Sequence, residues 1–308
     1  MIQGNYIGVQ ADGVSPLGNG AKGIHIDPVS GNTIGGIGAN DGNIIAYNGE
    51  DGVTVNPVAG TDNTILGNSI YANTNHGIDL NNDGETDNDG GDIDAGPNDL
   101  LNFPVITSAV ESGGTITIDF DLDVPAGDYR IEFFDNTAAD GTGYGEGEAW
   151  VGSYDVLTHP GGLASYSTTI PGSSGDILTA TTTEAVAAPF GSTSEFSIAY
   201  TASDGIFVVN STGDAGDNNI GDGVCYTGGN NSALANECTL RAAIEEANFA
   251  SNANTINFNM PAGESGHSGG IWTITPTAPN DDIVHTVLID ATTQPGFVSD
   301  PIVQLDGS

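Results

Sequence analysis

The sequence predicts an all-β protein: right-handed parallel β-helix rungs, then an antiparallel β-sandwich, then the start of a second β-helix with one short capping helix. Three observations support this fold class. Glycine is abundant, at 46 of 308 residues, which favours short strands joined by tight turns. Short strand motifs headed by Gly or Asn repeat through residues 1–102. Apolar and polar residues then alternate through residues 103–203, as they do in half-buried strands.

Residues 1–102 contain three sets of short motifs, each a glycine or asparagine turn followed by a strand. Such units cannot bury an apolar face alone, so they must stack on one another. Three short strands in each turn of roughly 25 residues are typical of a right-handed parallel β-helix. We expect inward Ile and Val to form aliphatic rows, and the repeated Asn to adopt positive φ and hydrogen-bond along the stack. The motifs begin at residues 4, 42 and 67, at 32 and 63, and at 23, 52 and 77.

Residues 103–203 have the two-residue rhythm of antiparallel strands. Apolar residues alternate with polar ones from Ile116 to Leu122 and again from Tyr129 to Phe133. Six or seven such strands separated by Pro/Gly turns predict an Ig-like β-sandwich. Further strands are predicted at 149–156, 163–170, 176–183 and 194–200.

Residues 204–308 begin with a predicted strand at 206–209 and contain the clearest helical pattern of the chain. A helix is predicted over 239–248, because apolar residues recur at helical spacing and Thr239 suits an N-cap. Cys225 and Cys238 predict one disulfide that closes a small loop in a secreted chain. Short strands are predicted at 255–258, 271–274, 287–290 and 302–305.

The segment from Cys238 to Asn248, followed by the strand residues 254–258, resembles the CSLREA domain. Its run Cys-Thr-Leu-Arg-Ala-Ala-Ile differs from that family's signature by Thr239 in place of Ser and Ala242 in place of Glu. The resemblance implies a large secreted bacterial surface protein in which this domain opens a right-handed β-helix. Residues 1–102 look like the end of such a helix, and residues 130–151 resemble the sandwich domain that often follows it.

The order of the three regions bears on the partners of the chain. A β-helix end, a sandwich and a β-helix start, in that order, form the junction between two consecutive modules. We therefore expect head-to-tail self-association in a filament, or neighbouring repeats of the same protein, because open β-helix ends stack readily. Met1 is not followed by a signal-peptide pattern, so the secretion signal is expected elsewhere in the full protein.

The charge balance is extreme, with 41 acidic residues against three basic ones and a formal net charge of −38. A charge of this sign argues against a nucleic-acid partner and against an anionic membrane surface. No apolar run is long enough to span a membrane. Cations must relieve the self-repulsion, and calcium suits carboxylate ligands outside cells. Adaptation to a salty medium is the alternative explanation.

An acidic run from Asp79 to Asp99, which forms the exit loop of the first region, is the main candidate calcium site. Its start, Asp-x-Asn-x-Asp-Gly, fits the first half of a calcium loop, but Gly90 at position 12 excludes an EF-hand. A solvated acidic linker is the alternative reading. The predicted ligands are Asp79, Asn81, Asp83, Asp87, Asp89, Asp92 and Asp94. A second candidate set is Asp214, Asp217 and Asp222, and a third is Asp135, Asp140, Glu146 and Glu148.

Other side chains suggest weaker sites. Asn210 and Asn230 head two Asn-x-Ser/Thr sequons, which are candidate glycan sites of a secreted protein. The five histidines lack metal-binding spacing and are expected to be isolated. An exposed aromatic surface would stack on sugars, although such residues more often fill a sandwich core. The aromatic residues in question are Phe134, Tyr144, Trp150 and Tyr154.

Catalysis finds little support in the sequence. A polysaccharide lyase needs a basic residue, and Lys22, Arg130 and Arg241 lie in no recognisable motif. A hydrolase needs two placed carboxylates, and no motif organises the available ones. We therefore expect a non-catalytic extracellular structural or adhesive module stabilised by calcium. A carbohydrate-binding module is the first alternative, and a polysaccharide lyase or hydrolase is the second.

Overall fold

The structure is a computed structural model that describes residues 1–249 and 254–307. Strands account for 38% of the chain and helix for 6%, which places the protein in the all-β class, as predicted. The described residues contain one α-helix, α1 (Leu240–Phe249). No helix within them is long and apolar enough to cross a membrane.

Strand length changes along the chain. The first eight strands have two or three residues each, whereas the next six have eight to eleven. The strands are β1 (Tyr6–Ile7), β2 (Ile24–Ile26), β3 (Thr33–Gly35), β4 (Ile44–Ala46), β5 (Val53–Val55), β6 (Thr64–Leu66), β7 (Ser69–Tyr71), β8 (Ile78–Leu80), β9 (Val105–Ser112), β10 (Thr115–Val124), β11 (Gly127–Asn136), β12 (Ala149–His159), β13 (Gly162–Pro171), β14 (Ile177–Glu184), β15 (Tyr200–Thr201), β16 (Ile206–Val209), β17 (Asn254–Phe258), β18 (His267–Ser268), β19 (Ile271–Ile274), β20 (Val287–Asp290) and β21 (Val303–Leu305).

The chain separates into two compact units, each assembled from discontinuous segments. The predicted three-part division at 102 and 203 stays a prediction, because both units combine residues from more than one of the predicted regions. Unit 1 consists of Met1–Ile106, Ile118–Gly172 and Asp176–Tyr200, and unit 2 consists of Thr107–Thr117, Ser173–Gly175 and the residues from Thr201 onward.

The eight short strands of unit 1 form three parallel sheets. Their strand orders are β1-β4-β7, β2-β5-β8 and β3-β6. Equivalent positions stack in register, so that Ile24 lies beside Val53 and Val53 beside Ile78. These side chains are buried together with Ile45 and Ile70 in one aliphatic core. The predicted rows of inward Ile and Val are therefore confirmed.

A row of glycines precedes the sheet of β2, β5 and β8. A Cβ atom at Gly23 would lie 2.6 Å from the carbonyl oxygen of Gly52, and one at Gly52 would lie 2.7 Å from that of Gly77. No side chain is compatible with contacts this short. Glycine is required here because neighbouring backbones approach closely.

The long strands belong to two further sheets, with strand orders β13-β10-β9 and β12-β11-β14-β15. β11 is antiparallel to both β12 and β14. Ile118, Phe120 and Leu122 of β10 are fully buried, as their alternation predicts. Phe120 meets Phe133 of β11 edge to face, with ring centroids 5.6 Å apart, so side chains of the two sheets share a core. The predicted β-sandwich fits this arrangement.

One predicted strand of the sandwich is wrong. Of residues 194–200, only Tyr200 belongs to a regular strand. The preceding residues follow β14 irregularly, and the hydroxyls of Ser194 and Ser197 accept hydrogen bonds from the backbone N–H groups of Thr182 and Ala180. Side-chain oxygens thus replace some of the backbone acceptors of the hydrogen-bond ladder. The alternation of apolar and polar residues in the sequence does not reveal this replacement.

Unit 2 contains a second set of parallel strands and the helix. β16, β17 and β20 form a parallel sheet, and β19 pairs in parallel with β21. The helix begins after Thr239, whose hydroxyl accepts from the N–H of Ala242, so the predicted N-cap is confirmed. The predicted disulfide between Cys225 and Cys238 is present and packs against the core that includes Leu240.

Candidate functional site

Buried asparagines at the turns of unit 1 hydrogen-bond along the stack of parallel strands. The Oδ1 of Asn73 accepts from the backbone N–H and from Nδ2 of Asn48, at 3.2 and 2.9 Å. Asn48 accepts the same pair of bonds from Asn19. The predicted hydrogen bonding along the stack is therefore confirmed. The three asparagine rows are Asn19–Asn48–Asn73, Asn5–Asn43–Asn68 and Asn32–Asn63–Asn98.

In most turns of the stack the positive φ falls on the residue before the asparagine. In six turns this preceding residue is left-handed, with φ between 53° and 69°. The sharp turn is then made one residue early, which leaves the asparagine side chain free to reach its neighbours. Asn98 differs, because it has the predicted positive φ itself, at 52°. The left-handed preceding residues are Gly4, Gly31, Tyr47, Asp62, Gly67 and Ala72.

A carboxylate from the sandwich terminates one asparagine row. Each row donates its hydrogen bonds in one direction, so the last asparagine, Asn73, presents donors that need an acceptor. Glu146 supplies it, because its Oε1 accepts from both the backbone N–H and Nδ2 of Asn73 at 3.0 Å. A carboxyl oxygen accepts hydrogen bonds through its lone pairs, which suits this end of the row.

Two further glutamates cap the same end of the stack. Glu132 accepts from the N–H of Gly67 at 2.8 Å. Glu195 accepts from the N–H groups of Leu80 and Thr86, at 2.7 and 2.9 Å. Both side chains are almost fully buried. Together with Glu146 they replace the backbone and amide acceptors that another set of strands would provide.

Burial disfavours the charged form of these caps. It raises the pKa of Glu146 to about 7 and the pKa of Glu195 to about 8, against the opposing effect of the donors they bind. Burial also raises the pKa of Glu132. Sequence reasoning missed Glu132 and Glu195, and it named Glu146 only as a metal ligand. The available signal was an acidic residue at a position flanked by apolar strand residues, as Glu132 is.

The acidic run is divided among separate environments, and Asp79 is buried at its start. The ligand atoms of Asp79, Asp51 and His76 lie within 4.8 Å of one another. Lys22 Nζ lies 3.0 Å from Asp51 Oδ2, and His76 Nδ1 lies 3.7 Å from Asp51 Oδ1. Because side chains already supply the cations, we interpret this group as an ion-pair network. The expectation that His76 is isolated is wrong.

The charges of this network shift its pKa values in different directions. The Asp51 carboxylate, helped by Glu85, raises the pKa of His76 to about 9. Burial would raise the pKa of Asp51, but His76 and Lys22 hold it well below its usual range. Burial and the nearby Asp51 raise the pKa of Asp79 to about 6. The contact between Asp51 and His76 could have been predicted from the repeat length, because the two residues are 25 positions apart and one turn of the stack has roughly 25 residues.

The later part of the run forms a more open candidate cation site. The carboxylate oxygens of Asp89, Asp92 and Asp94 lie within 4.8 Å of one another. Asp92 is held in place because it accepts from the backbone N–H of Asn102 at 2.8 Å. Burial, followed by the neighbouring carboxylates, raises the pKa of Asp92 to about 6, and burial also raises that of Asp94. Oxygen ligands in this arrangement suit a hard divalent cation.

The three basic side chains of the sequence all have partners elsewhere in the described structure. Since the chain has no other Lys or Arg, only protons or bound cations neutralise the Asp89, Asp92 and Asp94 group. The pairs are Lys22 with Glu50 and Asp51, Arg130 with Glu132 and Asp155, and Arg241 with Asp214.

The remaining predicted ligands of the run lie outside this group. Asn81 donates to Asp83 at 2.8 Å within the turn that follows β8. Asp87 accepts from the hydroxyl of Tyr144 at 2.8 Å. The structure therefore does not gather the seven predicted ligands at one point.

The second predicted set is rearranged around a helix residue. The carboxylate oxygens of Asp217, Asp222 and Glu246 lie within 4.8 Å of one another. Glu246 of α1 is almost fully buried, and burial raises its pKa to about 8. Asp214 instead forms a bidentate pair with Arg241. Sequence reasoning missed Glu246 because the apolar positions of the helix alone defined its buried face.

The third predicted set does not form a cluster among the described residues. Glu146 caps an asparagine row, as described above. Glu148 accepts from the N–H and the hydroxyl of Thr137. Asp140 accepts from the N–H of Thr142, and burial raises the pKa of Asp135. These carboxylates have separate surroundings and share no ligand position.

The aromatic residues that predicted a sugar-stacking surface are dispersed. Phe134 is buried, and the ring of Tyr154 packs against Phe120 at a centroid distance of 6.1 Å. Tyr144 packs edge to face against Phe103. Trp150 is 49% exposed and lines a groove that sequence reasoning did not identify.

The two sequons differ in accessibility. Asn230 is exposed on the surface of unit 2. Asn210 is partly buried, and its Nδ2 donates to the carbonyl oxygen of Asn236 at 2.7 Å. Of the two, Asn230 is the more accessible acceptor for a glycan.

No family model matches the chain, and no curated protein matches it either. The resemblance to the CSLREA domain therefore rests on the residues that carry it. The observed fold and contacts define an all-β protein with stacked parallel strands, buried asparagine rows, carboxylate caps and two carboxylate clusters that pair with none of the Lys or Arg side chains.

Proposed function

We propose that the chain is a non-catalytic extracellular structural or adhesive module of a repetitive surface protein. In this proposal the parallel sheets of unit 1 are rungs of a right-handed parallel β-helix. Unit 2 is the start of a second β-helix, opened by a CSLREA-type segment. The observation that carries the proposal is the in-register stack with its buried asparagine rows, because such stacks add repeats without changing their contacts and build long rigid rods.

An extracellular location is supported by the disulfide of Cys225 and Cys238, since disulfides persist in oxidising surroundings. The extracellular location is also supported by the excess of carboxylates over Lys and Arg side chains. Calcium is abundant outside cells and binds such oxygen ligands. In the proposed module it binds Asp89, Asp92 and Asp94.

Stacking onto further rungs is supported by the sheet edges. β1 and β2 are outer strands of their sheets, and within the described residues nothing donates to the Oδ1 atoms of Asn5, Asn19 and Asn32. In unit 2, β20 and β21 are outer strands as well, and Leu288 and Leu305 are more than half exposed. In our proposal a second copy or a neighbouring repeat covers these edges.

Sedimentation velocity over a range of protein concentrations tests the stacking. The second-copy version predicts species that grow with concentration and disappear in Leu288→Asp. Leu157→Asp, at an equally exposed position on β12, is the matched control and should assemble as the unaltered chain does. A monomer at every concentration would refute assembly through a second copy.

Thermal unfolding tests the calcium part of the proposal. We expect millimolar calcium to raise the melting temperature above its value with chelator, at constant high salt, because a cation that binds only the folded state stabilises it. The double variant Asp92→Asn with Asp94→Asn should reduce this rise in melting temperature. The control double variant, Asp281→Asn with Asp282→Asn, changes residues in neither carboxylate cluster and should leave the rise unchanged. An equal rise with magnesium, or none with calcium, would contradict a calcium-specific site.

A further inference from the structure

A groove of about 710 Å³ lies on unit 1, beside the Glu132 cap and away from the carboxylate clusters. One wall comes from β1 and the turn at 36–40, and the other comes from the sandwich strands β11 and β12. Two aromatic side chains, Tyr6 and Trp150, line it. Its volume lies within the range of small-molecule binding sites, and it is open to solvent.

Trp150 is exposed and lies on a paired strand. It stands on β12 opposite Phe134 of β11, at a point where the register shifts. It lines the groove together with the buried Glu132, while 49% of the residue remains exposed. A tryptophan has only two side-chain torsions, so little conformational entropy is lost when a ligand stacks on its uncovered surface.

Tyr6 offers a second platform, 55% exposed. A Cβ atom at Gly13 would lie 3.3 Å from Cζ of the Tyr6 ring, so the ring packs closely over this glycine. Within the described residues the Tyr6 hydroxyl has no hydrogen-bond partner and is free to bind a ligand.

The polar part of the groove is also preorganised. Glu132, only 1% exposed, accepts from the N–H of Gly67 and from Nε of Arg130, at 2.8 and 3.3 Å. Arg130 also donates to Asp155 at 3.1 Å. Ser69 and Ser153 add hydroxyls to the lining. Fixed donors and acceptors therefore lie beside two aromatic faces.

We propose that this groove binds a neutral saccharide. A pyranose ring presents apolar C–H faces, which pack on aromatic rings, and a rim of hydroxyls, which both donate and accept hydrogen bonds. The groove offers both kinds of surface side by side. A uronate or sulfated glycan is disfavoured, because Glu132 and Asp155 balance Arg130 within a chain of net charge −38.

Tryptophan fluorescence titration with neutral oligosaccharides of glucose, xylose and N-acetylglucosamine tests the proposal. We expect saturable binding by at least one series. Trp150→Ala and Tyr6→Ala should each weaken it about tenfold or more, as the loss of an aromatic anchor does. Calorimetry reports binding by Trp150→Ala, whose remaining tryptophan, Trp272, lies outside the groove. Leu157→Ala, an exposed residue of the same strand outside the groove, is the matched control and should bind normally.

Polygalacturonate serves as the charged probe and should not bind. The proposal is overturned if no neutral series binds, if both aromatic variants bind as tightly as the unaltered chain, or if the polyanion binds preferentially. Binding of peptides and not of saccharides would also overturn it. The structural role proposed above does not depend on this groove, so failure here leaves the sedimentation and calcium tests unaffected.

Discussion

Replacing Asn48 by alanine probes the buried asparagine rows most directly. Asn48 is 1% exposed and occupies the middle of its row. Its Oδ1 accepts from the N–H and Nδ2 of Asn19, and its Nδ2 donates to Asn73. Alanine removes these three side-chain hydrogen bonds and leaves polar groups of both neighbours with fewer partners.

The expected cost follows from the number of bonds lost. Each hydrogen bond contributes about 1 kcal/mol net, so Asn48→Ala should lower the free energy of unfolding by about 3 kcal/mol. For a folding unit the size of unit 1, a loss of that size lowers the melting temperature by roughly 6–12 °C.

Urea and thermal unfolding followed by circular dichroism measure this change. Asn75→Ala is the matched control, because Asn75 lies exposed in the same stack and its side chain makes no hydrogen bond among the described residues. The control should change stability by no more than about 0.5 kcal/mol. If Asn48→Ala costs no more than Asn75→Ala, the asparagine rows do not stabilise the stack and the reasoning fails.

Two other predictions concern pH and the disulfide. Because the pKa values of Glu146 and Glu195 are raised, the folded state keeps protons that the unfolded state releases. The contribution of these two groups to stability should therefore be greatest below about pH 4.5 and should fall as the pH rises through 7 to 8. Melting temperatures measured without divalent cations should show this fall, with a smaller slope in Glu195→Gln, and an unchanged slope would contradict the assignment. Reduction of Cys225–Cys238 should destabilise unit 2 by about 3 kcal/mol, because the unfolded chain regains the entropy of a closed loop. Fluorescence of Trp272, in the core of unit 2, should report an earlier urea midpoint with reductant, and an unshifted midpoint would count against it.

The sequence predicted most strands because their local patterns matched their burial. Inward Ile and Val at a fixed spacing located β2, β5 and β8, and alternation located β10 and β11. The segment at 194–200 was predicted wrongly because its hydroxyls serve the backbone of β14, which residue type alone does not show. Contacts that depend on irregular backbone lie beyond pattern reasoning.

The candidate sites were less predictable, because proximity in the sequence does not specify proximity in a stack. Asp79 joins Asp51 from an adjacent turn and not its neighbours in the acidic run. Glu246 joins Asp217 and Asp222 from a helix position that looked solvent-facing. Tyr6 and Trp150 are far apart in the chain, and only the fold brings them to one groove.

The direction of the asparagine rows restricts the symmetry of any assembly. In the part of the chain that the structure describes, all three rows place amide oxygens without a donor, those of Asn5, Asn19 and Asn32, at the same end. A two-fold axis through that end would bring acceptors against acceptors, so an isologous dimer is disfavoured there. A partner must approach with donors, as the opposite end of a similar stack does. Growth through this surface is therefore polar, and a fibre built this way has two chemically different tips.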